Sequence, residues 1–182
     1  MRYEYRLSGE GGQGVILAAI ILGEAAILDG YNVAQTQAYG PESRGGASKA
    51  EVVISDQEID YPKVNDPQVV LALTQESMDK YGRRLKPGTI LVVDSEAVDG
   101  PWPEGVKLYL APIVRTALEV TGREITTNIV ALGLIAGATD AISQASIAAA
   151  CRAAVASWRT RAWSSVSIVR SSSGGPRTSR GP

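Results

Sequence analysis

Two glycine-rich stretches carry the residue types that could meet a ligand. The first is Ser8-Gly9-Glu10-Gly11-Gly12-Gln13-Gly14-Val15, and the second, thirty residues on, is Tyr39-Gly40-Pro41-Glu42-Ser43-Arg44-Gly45-Gly46. Glycines 9, 11 and 14 satisfy a G-x-G-x-x-G spacing between a short alternating run and an apolar run, the setting of a strand that turns into a helix. Residues without a Cβ allow a sharp turn and let a ligand or a neighbouring chain approach the main chain. Free N–H groups there, added to the positive end of a helix dipole, make a seat for an anion. In the second stretch Pro41 fixes one torsion and Gly45-Gly46 permit close approach. Arg44 offers a planar fork suited to phosphate or carboxylate, unless Glu42 satisfies it internally.

Other chemistry is poorly provided for. The chain has one cysteine, Cys151, and no histidine, so it lacks an internal disulfide, the usual ligands of zinc or an iron–sulfur cluster, and the commonest general base. Cys151 has no histidine to activate it and reads as a helix residue. Asp94, just beyond an apolar run, reads as a cap for the following segment, although its place also suits a site residue. Tyr31, Tyr39 and Tyr61 could stack on a ring or serve as core aromatics in a chain with no phenylalanine. A dinucleotide-binding unit needs an acidic residue about 20 positions after its glycines to hold the ribose. That position reads Gln35-Thr36-Gln37, which argues against NAD.

The elements that would position these stretches can be read from periodicity. Tyr3 to Ser8, Val33 to Gln37, Ala50 to Ser55, Val69 to Leu73, Thr89 to Val93 and Lys107 to Leu110 have the length and composition of strands. Gly14 to Asp29 reads as a helix ended by Gly30, apolar on nearly every side and therefore expected to be buried against its own sheet and a second chain. Further helices are expected over Gln75 to Leu85, Ile113 to Val120, Thr127 to Ala138, with Thr127 or Asn128 as its N-cap, and Ser143 to Ala156. Short buried strands interleaved with helices imply an α/β fold. Its sheet should be mostly parallel and open with helices on both faces, entered through a Rossmann-like glycine-rich first turn. Both glycine stretches then follow strands at the carboxyl edge, where open α/β sheets bind ligands.

A chain of 182 residues with 45% hydrophobic content suits one such domain over residues 1–156. From Ser157 the composition turns to Ser, Arg, Gly and Pro, and a disordered tail over 157–182 is expected. The six arginines of residues 152–182, which hold no acidic residue, leave 12 basic against 19 acidic residues in the remainder, a net −7. A mildly acidic body gives no reason to expect nucleic acid. The longest apolar run, Val15 to Leu22, is eight residues against the roughly 20 that span a bilayer, so no membrane contact and a cytoplasmic location are expected.

At both glycine stretches together the sequence resembles the gamma subunit of the 2-oxoacid:ferredoxin oxidoreductases. The likeness continues through Ile54-Ser55, Ile59-Asp60-Tyr61-Pro62, Leu71 to Glu76 and Asn128 to Gly133, covering roughly residues 3–150, and is greatest to the 2-oxoglutarate branch. It implies a complex that converts a 2-oxo acid and coenzyme A to an acyl-CoA and carbon dioxide while reducing ferredoxin. It further implies thiamine diphosphate and iron–sulfur clusters on alpha, beta and ferredoxin-like partner subunits, and none on this chain. The gamma chain would then supply subunit interface and a coenzyme A contact through Gly9 to Gly14 and Tyr39 to Gly46, with no catalytic residue of its own. The ending past residue 156 departs from the usual one in that family. A free-standing dinucleotide-binding protein or dehydrogenase, and a plain interaction module, are the competing readings.

Overall fold

The computed structural model describes residues 1–38 and 47–156; the stretch Tyr39 to Gly46 and the expected tail fall outside the described residues. Six strands, β1 (Arg2–Gly9), β2 (Asn32–Ala38), β3 (Ser48–Ser55), β4 (Val69–Ala72), β5 (Ile90–Asp94) and β6 (Lys107–Ala111), form one sheet in the order β2-β3-β1-β4-β5-β6. β1, β4, β5 and β6 run parallel, whereas β3 is antiparallel to both neighbours, β1 and β2. Five of the six strands therefore point one way, and the mostly parallel sheet expected from the sequence is present. The short link from β2 to β3 explains the exception, because a parallel return needs a crossover of a dozen or more residues. β3 then inserts between β1 and β2, so α1 does not join adjacent parallel strands as in a dinucleotide-binding unit.

Helices lie unevenly on the two faces. On one, Tyr5, Leu7, Val52, Ile54, Val69, Leu71 and Val92 form the main core with α1 (Val15–Leu28), α4 (Thr127–Ala138) and the helix over residues 144–156, α5. Strand alternation sends Arg2, Glu4 and Arg6 to the other face. There Arg6 pairs with buried Glu51 at 2.7 Å and donates to the Val64 carbonyl. Glu4 accepts from the N–H groups of Asn65 and Asp66, so the chain before β4 closes over these charges. Farther along that face Val70, Leu91 and Val93 pack with Met78 and Val98.

The expected Gln75–Leu85 helix is a single turn, α2 (Gln75–Ser77), running directly into a π-helix (Met78–Gly82). Thr74 begins it by accepting the Ser77 N–H, and the Met78 side chain occupies the space a Cβ on Gly82 would need. Thr126, not Thr127 or Asn128, precedes α4, after a 3-10 turn (Glu124–Thr126) that follows α3 (Ile113–Thr121). Leu17, Ile20, Ile27 and Leu28 on the outward stripe of α1 are exposed, so the described chain itself buries only part of that helix. Among the described residues, no helix is long and apolar enough to cross a membrane.

α1 ends as its sequence predicts. Gly30 takes a left-handed φ of 87°, its N–H bonds to the Ile27 carbonyl, and Tyr31 N–H bonds to Ala26. Asp29 at this end also starts α5. It accepts from Ser143 N–H at 2.6 Å, the Ser143 hydroxyl at 2.9 Å and the Ser146 hydroxyl at 2.6 Å. Desolvation pulls the Asp29 carboxyl upward, but the bonds from Ser146 and Ser143 outweigh it and hold the group below the ordinary aspartate range. A carboxylate with a depressed folded pKa stabilises above its unfolded pKa, and that contribution is lost as pH falls through the folded value. Asp29→Ala should therefore cost about 1 kcal/mol in urea unfolding at neutral pH, in the range of a lost helix cap. The gap between the two proteins should close in acid, once Asp29 is protonated in the parent.

Candidate functional site

The first glycine stretch is a tightly fitted turn at the carboxyl edge of the sheet. Gly9 is the last residue of β1, and Gly14, with φ 72° and ψ 24°, is the N-cap of α1. A Cβ on Gly9 would lie 2.6 Å from Gln13 Oε1, 2.9 Å from Val15 Cγ2 and 3.2 Å from Leu73 Cβ. One on Gly14 would meet the Asn128 carboxamide at 2.7 Å. Gln13, itself buried, accepts the Glu10 N–H at 2.8 Å, while its own N–H bonds to the Glu10 carbonyl at 3.2 Å. These bonds close the turn on its inner side. Gly11 and Gly12 are exposed, with nothing near their Cβ positions, and α1 begins without a side-chain cap.

The ends of the second stretch are placed beside this turn. Gly9 pairs with Ser48 and Ser8 with Lys49, while Ala38, the last residue of β2, pairs with Lys49 on the other side of β3. The strand ends at Ala38 and Ser48, which flank the second stretch, therefore lie at the same edge as the first turn. Of the residues singled out in the sequence, Gly9, Glu10, Gly11, Gly12, Gln13 and Gly14 are brought together here. Tyr39, Gly40, Pro41, Glu42, Ser43, Arg44, Gly45 and Gly46 lie outside the described residues. From the far side, Glu76 pairs with Lys80 at 2.8 Å. The Lys80 contact first, and then the Ala47 N–H, hold the Glu76 carboxyl below its ordinary value.

The turn has two electrostatically different flanks. Toward β5 a crevice of about 470 Å³ is lined by Glu10, Thr74, Asp94, Glu96, Glu124 and Arg115, among others. Its one arginine is paired with Glu96 at 2.7 Å. Four carboxylates against one neutralised cation make that crevice unsuited to a phosphate. On the β3 flank are Lys49 and Arg6, both engaged with Glu51.

Asp94 is a cap, the first of its two sequence readings. One oxygen accepts from Glu96 and Ala97 N–H, and the other from Val114 N–H at 2.8 Å in the first turn of α3. Cys151 is half-buried, and burial pushes its thiol upward, so it is not an activated nucleophile. Tyr61 is exposed and Tyr31 packs on the core. Asn128, expected as a cap, is instead buried and donates from Nδ2 to the Gly14 carbonyl at 3.4 Å. The available signal was a carboxamide placed on the inward stripe of an otherwise apolar helix.

Residues 4–162 match the family described as pyruvate ferredoxin/flavodoxin oxidoreductase. The chain belongs to this family. It is 48% identical over 150 residues to 2-oxoglutarate synthase subunit KorC of Methanothermobacter marburgensis, a match covering 79% of this chain and 81% of that one. The fold is similar to the crystal structure of a keto/oxoacid ferredoxin oxidoreductase gamma subunit from Geobacter sulfurreducens. The TM-score is 0.71 at 47% identity, over 82% of this chain and 84% of that chain. It is also similar to 2-oxoglutarate:ferredoxin oxidoreductase from Magnetococcus marinus, solved with 2-oxoglutarate, coenzyme A and succinyl-CoA bound. That match has a TM-score of 0.73 at 27% identity and covers 82% of this chain but only 26% of the longer one.

The glycines of the turn are distinguishable by substitution. Gly9→Ala and Gly14→Ala should each destabilise by about 1–3 kcal/mol, the first by overpacking and the second by adding left-handed strain. Gly11→Ala, in open space, should stay within about 0.5 kcal/mol of the parent. Chemical denaturation of the three variants side by side checks the order.

Proposed function

We propose that this chain is the gamma subunit of a 2-oxoglutarate:ferredoxin oxidoreductase, providing subunit interface and a contact for coenzyme A. The observation that carries the ligand contact is the bare, preorganised backbone at Gly11 and Gly12 ahead of an uncapped helix, beside the root of the stretch containing Arg44. N–H groups at such a turn suit a phosphate-bearing ligand, and Arg44 adds the charge that the turn itself lacks. The acidic crevice directs that ligand to the β3 flank, leaving Glu10 free to meet a cationic group of a partner subunit.

In this reading the complex takes a 2-oxo acid, coenzyme A and oxidised ferredoxin to an acyl-CoA, carbon dioxide and reduced ferredoxin. Thiamine diphosphate and the iron–sulfur clusters reside on the alpha, beta and ferredoxin-like subunits. A chain with a single, unactivated cysteine and no histidine is suited to orienting and enclosing chemistry done by a neighbour's cofactor. The exposed apolar stripe of α1, Leu17, Ile20, Ile27 and Leu28, is the kind of surface that a partner subunit covers. Against a dinucleotide-binding role stand Gln35-Thr36-Gln37 in place of an acid and the intervening antiparallel β3.

Arg44→Ala in the reconstituted complex should raise the KM for coenzyme A by roughly tenfold or more, the scale of a lost charge-assisted hydrogen bond. The KM for the 2-oxo acid should not follow it. An unchanged coenzyme A value in an intact assembly would rule the contact out.

A further inference from the structure

The glycine turn is held from beneath by a residue 114 positions away. Asn128, in the first turn of α4, is 2% exposed. Its carboxamide donates to the Gly14 carbonyl, the same oxygen that accepts Ala18 N–H at 2.9 Å as the first helical bond of α1. The carboxamide also fills the space that any side chain at position 14 would need, with Nδ2 at 2.7 Å and Cγ at 3.0 Å from the Cβ site. Residue 14 is thereby confined to glycine, and its left-handed φ of 72° sets the angle between the turn and the amides of the first α1 residues. Gln13 closes the other end of the turn through Glu10 N–H. Only the outer side, Gly11 and Gly12, remains open.

We infer that Asn128 is a positioning residue. Its carboxamide locks Gly14 in the left-handed conformation and so orients the turn's open backbone for the anionic ligand. Positioning of the turn stands on geometry alone, whereas the consequence for coenzyme A rests on the proposed function. The bland alternative is a buried amide that stabilises α4 packing without governing the turn. Asn128→Asp separates the two, because it keeps the shape and replaces the donor with an oxygen facing the Gly14 carbonyl.

The test uses the assembled complex and follows amide hydrogen exchange together with steady-state kinetics. Exchange should accelerate at Gln13 and Ala18, whose N–H groups are bonded to the Glu10 and Gly14 carbonyls, and not in α5. The KM for coenzyme A should rise by up to about tenfold, the equivalent of one buried hydrogen bond, while the KM for the 2-oxo acid stays put. Unchanged exchange at Gln13 and Ala18, or a uniform loss of protection across the chain, would overturn the positioning role, whatever Arg44→Ala does. Faster exchange at Gln13 and Ala18 with an unmoved coenzyme A value supports positioning and removes the ligand reading instead. If Asn128→Asp does not assemble, Asn128→Ser, smaller and uncharged, gives the same exchange comparison.

Discussion

A side chain cannot be added at residue 9 or residue 14 without displacing something packed. This steric limit governs the carboxyl edge of the protein. Leu73 from the end of β4, Val15 from α1, Gln13 from the turn itself and Asn128 from α4 all close on the two glycines. Side chains from beyond β4, from α1, from the turn and from α4 therefore converge where β1 ends, and Gly11 and Gly12 are left exposed. The backbone at Gly11 and Gly12 is open because everything beneath it is full. A turn held this way loses little conformational freedom on meeting a partner or ligand, which is the physical advantage of a preorganised surface.

Charge divides that edge. Asp94 spends its carboxylate on three backbone N–H groups and Arg115 is occupied by Glu96, so the β5 flank keeps an excess of negative potential. The β3 flank begins beside a charge cluster, Arg6, Lys49 and Glu51, whose members satisfy one another under the strand ends. Removing one partner of so buried a group leaves the others uncompensated, which makes the cluster a fixed floor for the edge above it. The two flanks of one rim thus carry different potentials.

Much of the architecture was legible because its signals are local. Six strand runs, the glycine that ends α1, the serine that starts α5 and the cap role of Asp94 each follow from a short-range rule and are all present. What escaped were features set by packing between distant segments. The Gln75–Leu85 periodicity fits a helix, but the Met78 side chain beside Gly82 accompanies a widened turn. Leu17, Ile20, Ile27 and Leu28 belong to a helix read as buried against its own sheet and a second chain, and only the structure shows that these four form the face its own sheet leaves exposed. Asn128 resembles a cap because carboxamides near a helix start usually accept from their own helix's N–H groups; here its Nδ2 donates instead to the Gly14 carbonyl at the start of α1.

The amino-acid sequence by itself determined the α/β alternation and the glycine turn that follows β1. It also fixed a supply of one cysteine and no histidine, since residue types and near-neighbour spacing suffice for each of these. Only the tertiary structure decided that β3 enters antiparallel between β1 and β2. That insertion brings the strand ends at Ala38 and Ser48 to the rim where the first turn lies. It also decided which flank of that rim is acidic and which residue braces it. Strand order and side-chain proximity arise from contacts between residues tens of positions apart, and no local periodicity encodes them.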